Sequence, residues 1–474
     1  MEMELSPATL LFVFLISLPI LVTLLRRKST PTSNKRRPPG PWNFPLIGSL
    51  YHFIKSHPPV VLRELAKKYG PVMFLRMGQI DTVVISSPAA AQEVLREKDV
   101  IFASRPSIVA SEVFTYGNLD VGFSPYGAYW RTLRKLCTVE LLSAKMVRQF
   151  APIRDNETLS LIRNIQVCSK ELRDKFLRSI AVAMSFSGGF TVGDVFPSLR
   201  FIDVVTGLRR SMWRARHQLD DVFDKIIAGC EAQRGDDLLS VLLRIRDKGE
   251  LEFPIGTTNV KAILLDMFIG GTETTSSAAE WIITELMRNP DVMAKAQAEV
   301  RRVFDKVSPQ DHEAKMDELH YIKMVIKESM RLNPVVPLLV PHFCQETCEV
   351  GGFQVTKGTR VMVNAWAMAR SPEYWHDAEK FRPERFEDGM LDFKGSRFEY
   401  LPFGAGRRRC PGDTFGLAVL ELIVARLLYY IDWSLPAGMQ PDDIDMEMIV
   451  AATTRRKNPL QLVVSPYKVV PMQG

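Results

Sequence analysis

Phe403-Gly404-Ala405-Gly406-Arg407-Arg408-Arg409-Cys410-Pro411-Gly412 is the stretch on which the reading of this chain turns. It sets one cysteine in a glycine-framed loop among three arginines, directly ahead of a long apolar run. Gly404, Gly406 and Gly412 permit backbone angles closed to other residues and let the chain lie close to a flat ligand. The run at 415–428 has the composition of a mostly buried helix. A cysteine at such a helix start, beside arginines, is expected to have its thiolate favoured by the helix dipole and the positive charge. That thiolate suits the axial position of a haem iron, where it donates electron density and promotes O–O cleavage. A buried structural cysteine is the bland alternative, and the full pattern F-x-x-G-x-R-x-C-x-G argues against it.

With Pro402 included, the stretch reads P-F-G-x-G-R-R-x-C-P-G and resembles the cytochrome P-450 family of haem-thiolate monooxygenases. The variant is similar to the plant microsomal A-type branch, its grass terpenoid oxidases in particular. The resemblance implies a mainly α fold with small β-sheets and heme b (iron protoporphyrin IX) as cofactor. It also implies Cys410 as the axial iron ligand, Arg408 pairing with a haem propionate and Phe403 packed beside the sulfur. Gly406 and Gly412 would shape the same cofactor-binding loop.

Outward from this loop, other segments gain meaning from the same resemblance. Trp130 and Arg134 stand four apart, on one face of a helix. An indole N–H beside a guanidinium fork suits a carboxylate, and the matching family motif W-x-x-x-R assigns the pair to the haem propionates. In Asp266-Met267-Phe268-Ile269-Gly270-Gly271-Thr272-Glu273-Thr274-Thr275, two glycines interrupt a helical pattern at about 1 kcal/mol each relative to alanine. This reads as a helix opened at Gly270 and Gly271 to form an oxygen groove, with Glu273 and Thr274 organising water for proton delivery. The family pattern [A/G]-G-x-[D/E]-T-[T/S] is matched there. Glu328 and Arg331 make an ordinary helical pair by themselves. With Arg385 in Pro383-Glu384-Arg385-Phe386 they resemble the family's E-x-x-R and P-E-R-F elements, which imply a buried network bracing the haem loop. The apolar, proline-stiffened 334–342 segment would line the substrate side of the haem, as would parts of 104–123 and 449–452. The family places a basic residue after Pro341 to meet a propionate; here it is His342, so that contact depends on protonation.

The amino terminus supplies a second kind of signal. Residues 5–25 carry no charge and, as a helix, span roughly 30 Å, the thickness of the hydrocarbon core. Glu2 and Glu4 precede the run and Arg26, Arg27 and Lys28 follow it, which favours an uncleaved single-pass transmembrane anchor over a signal peptide. Residues 26–42 read as a basic, proline-rich hinge, with Pro38-Pro39-Gly40-Pro41 stiffening the exit. The catalytic domain is then 43–474, on the cytosolic face of the endoplasmic reticulum membrane. Within it, hydrophobic patterns predict a helix at 60–69, a hairpin at 72–85 and a helix at 88–95, with further strand signals near 353–363 and 460–464.

Composition excludes several classes. The net charge is +7 in 474 residues, but the basic residues are dispersed and no nucleic-acid motif accompanies them. Anionic lipid or an acidic protein partner fits such a surface better. Six scattered cysteines give no disulfide framework or zinc pattern. No G-x-S-x-G elbow supports a hydrolase. No dinucleotide fingerprint of its own is present, so electrons from NADPH must arrive through a separate reductase.

The reading is therefore a membrane-anchored monooxygenase that uses O2 to hydroxylate or epoxidise a small apolar metabolite, by resemblance a terpenoid such as a diterpene. Its partners are NADPH-cytochrome P-450 reductase, cytochrome b5 as a further electron donor, membrane lipid and the apolar substrate, with no nucleic acid. A haem-thiolate isomerase of fatty-acid hydroperoxides is the distant rival, disfavoured by the Gly-Thr groove. Relative to the family the middle looks short between 164 and 173 and trimmed near 230–236. A haem-binding member inactivated by that loss is the standing alternative.

Overall fold

The computed structural model describes residues 37–166 and 191–470, apart from positions 55, 236, 250 and 390. The anchor expected at 5–25, the first part of the hinge and most of the short middle stretch lie outside them. Among the described residues no helix is long and apolar enough to cross a membrane.

Helices dominate, as the periodicity predicts. α1 (Pro58–Tyr69) begins on proline, whose missing N–H is no loss in a first turn, and ends at Gly70. It packs on a four-stranded sheet whose strands run in the order Val72–Met77, Ile80–Ile85, Arg360–Val363, His342–Phe343. β1 (Val72–Met77) and β2 (Ile80–Ile85) form the expected antiparallel hairpin, Met77 opposite Ile80. Gly78 turns it with φ +62°, the left-handed region that a two-residue connection requires. The hinge does not hang free: the Phe74 N–H donates to the Pro39 carbonyl at 2.7 Å, so residues 39–41 run along the β1 edge. A side chain at Gly40 would strike the Phe74 carbonyl, which is why glycine stands there.

The helix expected at 88–95 is a short α-helix, Pro88–Gln92, followed by one wide turn at Glu93–Glu97. The strand signal at 353–363 divides between two sheets. β3 (His342–Phe343) and β6 (Arg360–Val363) join the main sheet, β6 parallel to β2 with Thr82 opposite Arg360. β4 (Cys348–Val350) and β5 (Phe353–Val355) make a separate hairpin. Towards the C-terminus β7 (Ile431–Ser434) pairs with β10 (Val463–Pro466), and β8 (Met448–Val450) with β9 (Thr454–Arg456).

The helical layer is built from α2 (Ala128–Leu136), α3 (Ala151–Gln166), α4 (Leu208–Ala232), α5 (Thr257–Arg288), α6 (Pro290–Phe304), α7 (His320–Leu332) and α8 (Asp413–Tyr430). At 1.5 Å per residue α5 runs for about 48 Å through the molecule. Its C-terminal half packs with α6, α7 and α8 in the largest core, around Ile282, Leu286, Val325 and Leu428. Its N-terminal half packs against α4 and the helix Val109–Phe114, around Met212, Phe223 and Ile263. From Leu420 onward α8 is buried on nearly every side, the burial that its mostly apolar sequence implies, with Arg426 taken inside as well. One helix thus spans two cores, and the site lies where it passes between them.

Candidate haem-thiolate active site

The cysteine loop is held by its own backbone. The Gly404 N–H donates to the Leu401 carbonyl, Arg409 to Gly406, and Cys410 to Phe403 at 2.9 Å. Gly406 has φ +68°, and a Cβ on it would lie 1.8 Å from the Leu95 carbonyl. The loop therefore sits directly on the wide turn after the Pro88 helix, an approach that only glycine permits. Phe403 packs edge-on to Phe393.

The electrostatics differ from the sequence expectation. Burial pushes the Cys410 thiol up, and an N–H from Gly412 and the charges of Arg134 and Arg409 only partly oppose that rise. Two of the three loop arginines are spent elsewhere: Arg407 pairs with Asp99 at 3.2 Å and Arg409 with Asp413. The loop alone does not hold a thiolate; a coordinated iron would, because a metal deprotonates its thiol ligand outright.

Above the loop the structure gathers half-buried positive charge. Arg408 donates to the carbonyls of Ala103, Val121 and Ser124. Arg134 donates to the Arg409 carbonyl at 2.5 Å. The Trp130 indole N–H goes to the Val121 carbonyl at 3.0 Å, and its ring lies under Arg408 at 4.2 Å. Sequence reasoning missed a third guanidinium, Arg105, which donates to Val340 and Pro341 from one nitrogen. Burial, then the neighbouring Arg408, holds Arg105 well below its usual range, and burial brings Arg408 down to about 9. His342 was expected to add a conditional cation. It is buried, and desolvation followed by Arg105 drives it towards the neutral form, with Nδ1 2.8 Å from the Phe102 carbonyl. The basic partner on this side is Arg105, not His342. Three crowded guanidiniums, with Asp120 beside Arg105 and Arg408 and Asp413 near Arg134, still carry more positive charge than these carboxyls offset and fit a dianionic group such as the two propionates of haem. On the flat faces, side chains built at Gly270, Gly271, Gly404 and Gly416 would meet nothing within 4 Å, so a planar macrocycle fits there as well.

α5 is continuous from Thr257 to Arg288, so the expected break at the glycines is absent. The notch arises from missing side chains rather than from an opened backbone. Thr274 Oγ1 bonds back to the Gly270 carbonyl at 2.5 Å, and Glu273 accepts from Thr453 Oγ1 at 3.4 Å. One turn earlier lies a pair that sequence reasoning did not connect. Asp266 Oδ2 accepts the Val121 N–H at 2.7 Å, and Asp120 Oδ2 accepts that of Phe123 at 3.0 Å. Burial raises both carboxyls, that of Asp266 well above its usual range; the Asp120 charge adds to the rise at Asp266, whereas the hydrogen bond with Asp266 opposes the rise at Asp120. A cavity of about 220 Å³ opens beside them, walled mainly by apolar residues including Phe114, Phe123, Ile269, Leu338 and Val450. The segments expected to line the substrate side do meet here, except that Ile449 is exposed and lies off the wall.

Behind the loop, Glu328 and Arg331 are fully buried. Arg331 binds both carboxylate oxygens of Glu328, at 2.7 and 2.9 Å, and Arg385 Nε binds one of them at 3.0 Å. The expected three-residue network is present in the fold.

Comparison with known proteins agrees with this geometry. The family model for Cytochrome P450 matches residues 38–175 and 170–463. Its two pieces meet inside the stretch that reads as short. Cytochrome P450 99A2 of Oryza sativa subsp. japonica is 68% identical over 504 aligned positions, covering 99% of this chain and 94% of its own. The 9-beta-pimara-7,15-diene oxidase of the same plant is 66% identical, covering 99% of both chains. A zebra fish cytochrome P450 solved with progesterone superposes with a TM-score of 0.70 at 25% identity, over 87% of this chain and all of that one. The chain belongs to the cytochrome P450 family of haem-thiolate monooxygenases.

Proposed function

We propose that this monooxygenase oxidises a terpenoid, a diterpene skeleton above all, while anchored in the endoplasmic reticulum membrane by residues 5–25. The observation that carries the substrate class is the apolar cavity abutting Gly270, read together with the pimaradiene oxidase similarity. When bound, the haem supplies dioxygen activation and the oxidising equivalent. Cys410 would supply the thiolate that holds its iron, with Arg105, Arg134 and Arg408 holding its propionates and Trp130 packed beneath Arg408. The remaining work falls to the chain's own side chains. Apolar walls orient the substrate and exclude bulk water. The Thr274 hydroxyl, tethered to Gly270, and the Glu273 carboxylate, tethered to Thr453, hold water and pass protons inward. Glu328, Arg331 and Arg385 keep the loop in register.

Electrons from NADPH would arrive through NADPH-cytochrome P-450 reductase, with cytochrome b5 as a second donor. The exposed Arg131 and Lys135 offer a basic face for such acidic partners, and reduction that is insensitive to salt would remove that assignment. Exposed Trp42, Phe44, Leu46 and Ile47, next to the hinge, suit a surface resting against lipid.

The test is reconstitution of the full chain with reductase, NADPH and a pimaradiene hydrocarbon. An oxygenated product is expected. A normal carbon monoxide difference spectrum with no turnover of any terpene would overturn the terpenoid reading. Haem uptake with no NADPH-dependent turnover of any substrate, terpene or otherwise, would instead favour the inactive haem-binding reading, to which the divided family match lends its support.

A further inference from the structure

The cavity wall contains one group that its apolar character does not explain. Arg360, on β6, is 6% exposed and lines the cavity on the same strand face as Met362. Among the described residues its guanidinium makes no hydrogen bond and no ion pair within 4 Å, and its Nε is buried without a partner. The nearest influence is Asp194, which raises its proton affinity against the larger effect of burial. Asp194 is itself fully engaged. Its Oδ1 takes the Val109 N–H at 2.7 Å, and its Oδ2 takes the backbone N–H and hydroxyl of Thr191. A largely buried guanidinium whose Nε has no acceptor is costly, and the usual resolution is an anion that accepts from two of its donors at once.

The cavity has a second polar feature of opposite kind. Asp120 and Asp266 line it beside Gly270, Asp266 standing one helical turn before that glycine, and Asp120 Oδ1 is buried without a partner. An anionic group is repelled from these carboxyls and drawn to Arg360, so the cavity is polarised. We propose that the ligand of this cavity is a terpenoid carboxylic acid, its carboxylate bound by Arg360 and its hydrocarbon frame laid along Phe114, Leu338 and Val450 towards Gly270. Oxidation then falls on carbons remote from the carboxylate. This deepens the terpenoid reading and rests on it.

The test is equilibrium dialysis of the haem-loaded full chain against abietic acid and its methyl ester at about pH 8, where the acid is ionised. The same resin skeleton then differs only in charge. The acid is expected to bind at least about tenfold more tightly than the ester, about one hydrogen-bonded charge's worth of discrimination. Arg360→Met should abolish the difference while leaving ester binding within about twofold, and Arg360→Lys should restore part of it. Unchanged ester binding is also the check that the variant folds. If Arg360→Met loses the ester too, the acid-to-ester ratio of the unaltered protein decides. Equal binding of acid and ester by that protein, an acid preference surviving in Arg360→Met, or no carboxylate bound at all each overturns the proposal. If both resin compounds fail but cinnamate binds and is lost in Arg360→Met, the terpenoid reading falls and the carboxylate site at Arg360 stands.

Discussion

Two clusters of arginine, one buried and one half-buried, lie on either side of the cysteine loop, and they are built on opposite plans. In the knot behind the loop, all five N–H groups of Arg331 are met: by Glu328, and by the carbonyls of Ala369, Ala378 and Lys380. Glu328 in turn accepts from Arg385 and from the Arg382 backbone. In front of the loop, Arg105, Arg134 and Arg408 crowd one another, with Asp120, whose ionisation burial opposes, beside two of them and Asp413, already paired with Arg409, near the third. The first cluster is complete within the protein, so its work is to hold shape. The second has more positive charge than the protein neutralises, so its work is to receive an anion.

The contrast can be broken most directly at Glu328. Glu328→Gln strips a fully buried pair of its anion and should cost about 3–5 kcal/mol. Urea denaturation should show this as loss of holoprotein; a shift under about 1 kcal/mol would mean that the knot is not self-contained. Arg408→Leu comes next. It relieves crowding among cations but frees three carbonyls, so its effect on the urea midpoint should be smaller, about 1–3 kcal/mol. Its distinguishing mark is haem transfer to excess apomyoglobin, which should quicken by about tenfold or more. Equal haem retention in the two variants would erase the distinction between the clusters.

Asp266→Asn sharpens it further. Burial raises the Asp120 and Asp266 carboxyls in the folded state, so the fold holds a proton that the unfolded chain gives up above about pH 4. Stability from this source is complete below that value and is lost as pH rises towards the folded value. Thermal midpoints of the unaltered protein should therefore decline as pH rises above about 4, and the decline should be shallower in Asp266→Asn. The Asn carbonyl can still accept the Val121 N–H, so the fold should survive. The smallest effect on stability is expected for Thr274→Ala, within about 0.5 kcal/mol, because one hydroxyl bond on an intact helix is lost. Its consequence is functional: product formed per NADPH consumed should fall, and unchanged coupling would remove Thr274 from proton delivery.

How much of this was legible beforehand depends on distance along the chain. The hairpin at 72–85, the buried run of α8 and the Glu328–Arg331 pair are short-range patterns, and each appears in the structure where the residues indicated. The expected opening of α5 at Gly270 was wrong in form, since two glycines lower helix propensity without breaking a helix that is packed along most of its length. His342 was read as a conditional cation because nothing in its neighbours reveals that Arg105, 237 positions away, would be packed close enough to discharge it. The Asp120–Asp266 pair and the solitary Arg360 left no local signature at all.

The sequence by itself determined the cysteine loop, the haem-binding class and the apolar nature of the pocket. Those properties reside in residues that act within a turn or two of one another, where backbone geometry and periodicity are written directly in order. Tertiary structure alone decided which charges are neutralised and which are left for a ligand. Desolvation and Coulomb energy depend on what surrounds a group in space, and segments hundreds of residues apart supply those surroundings.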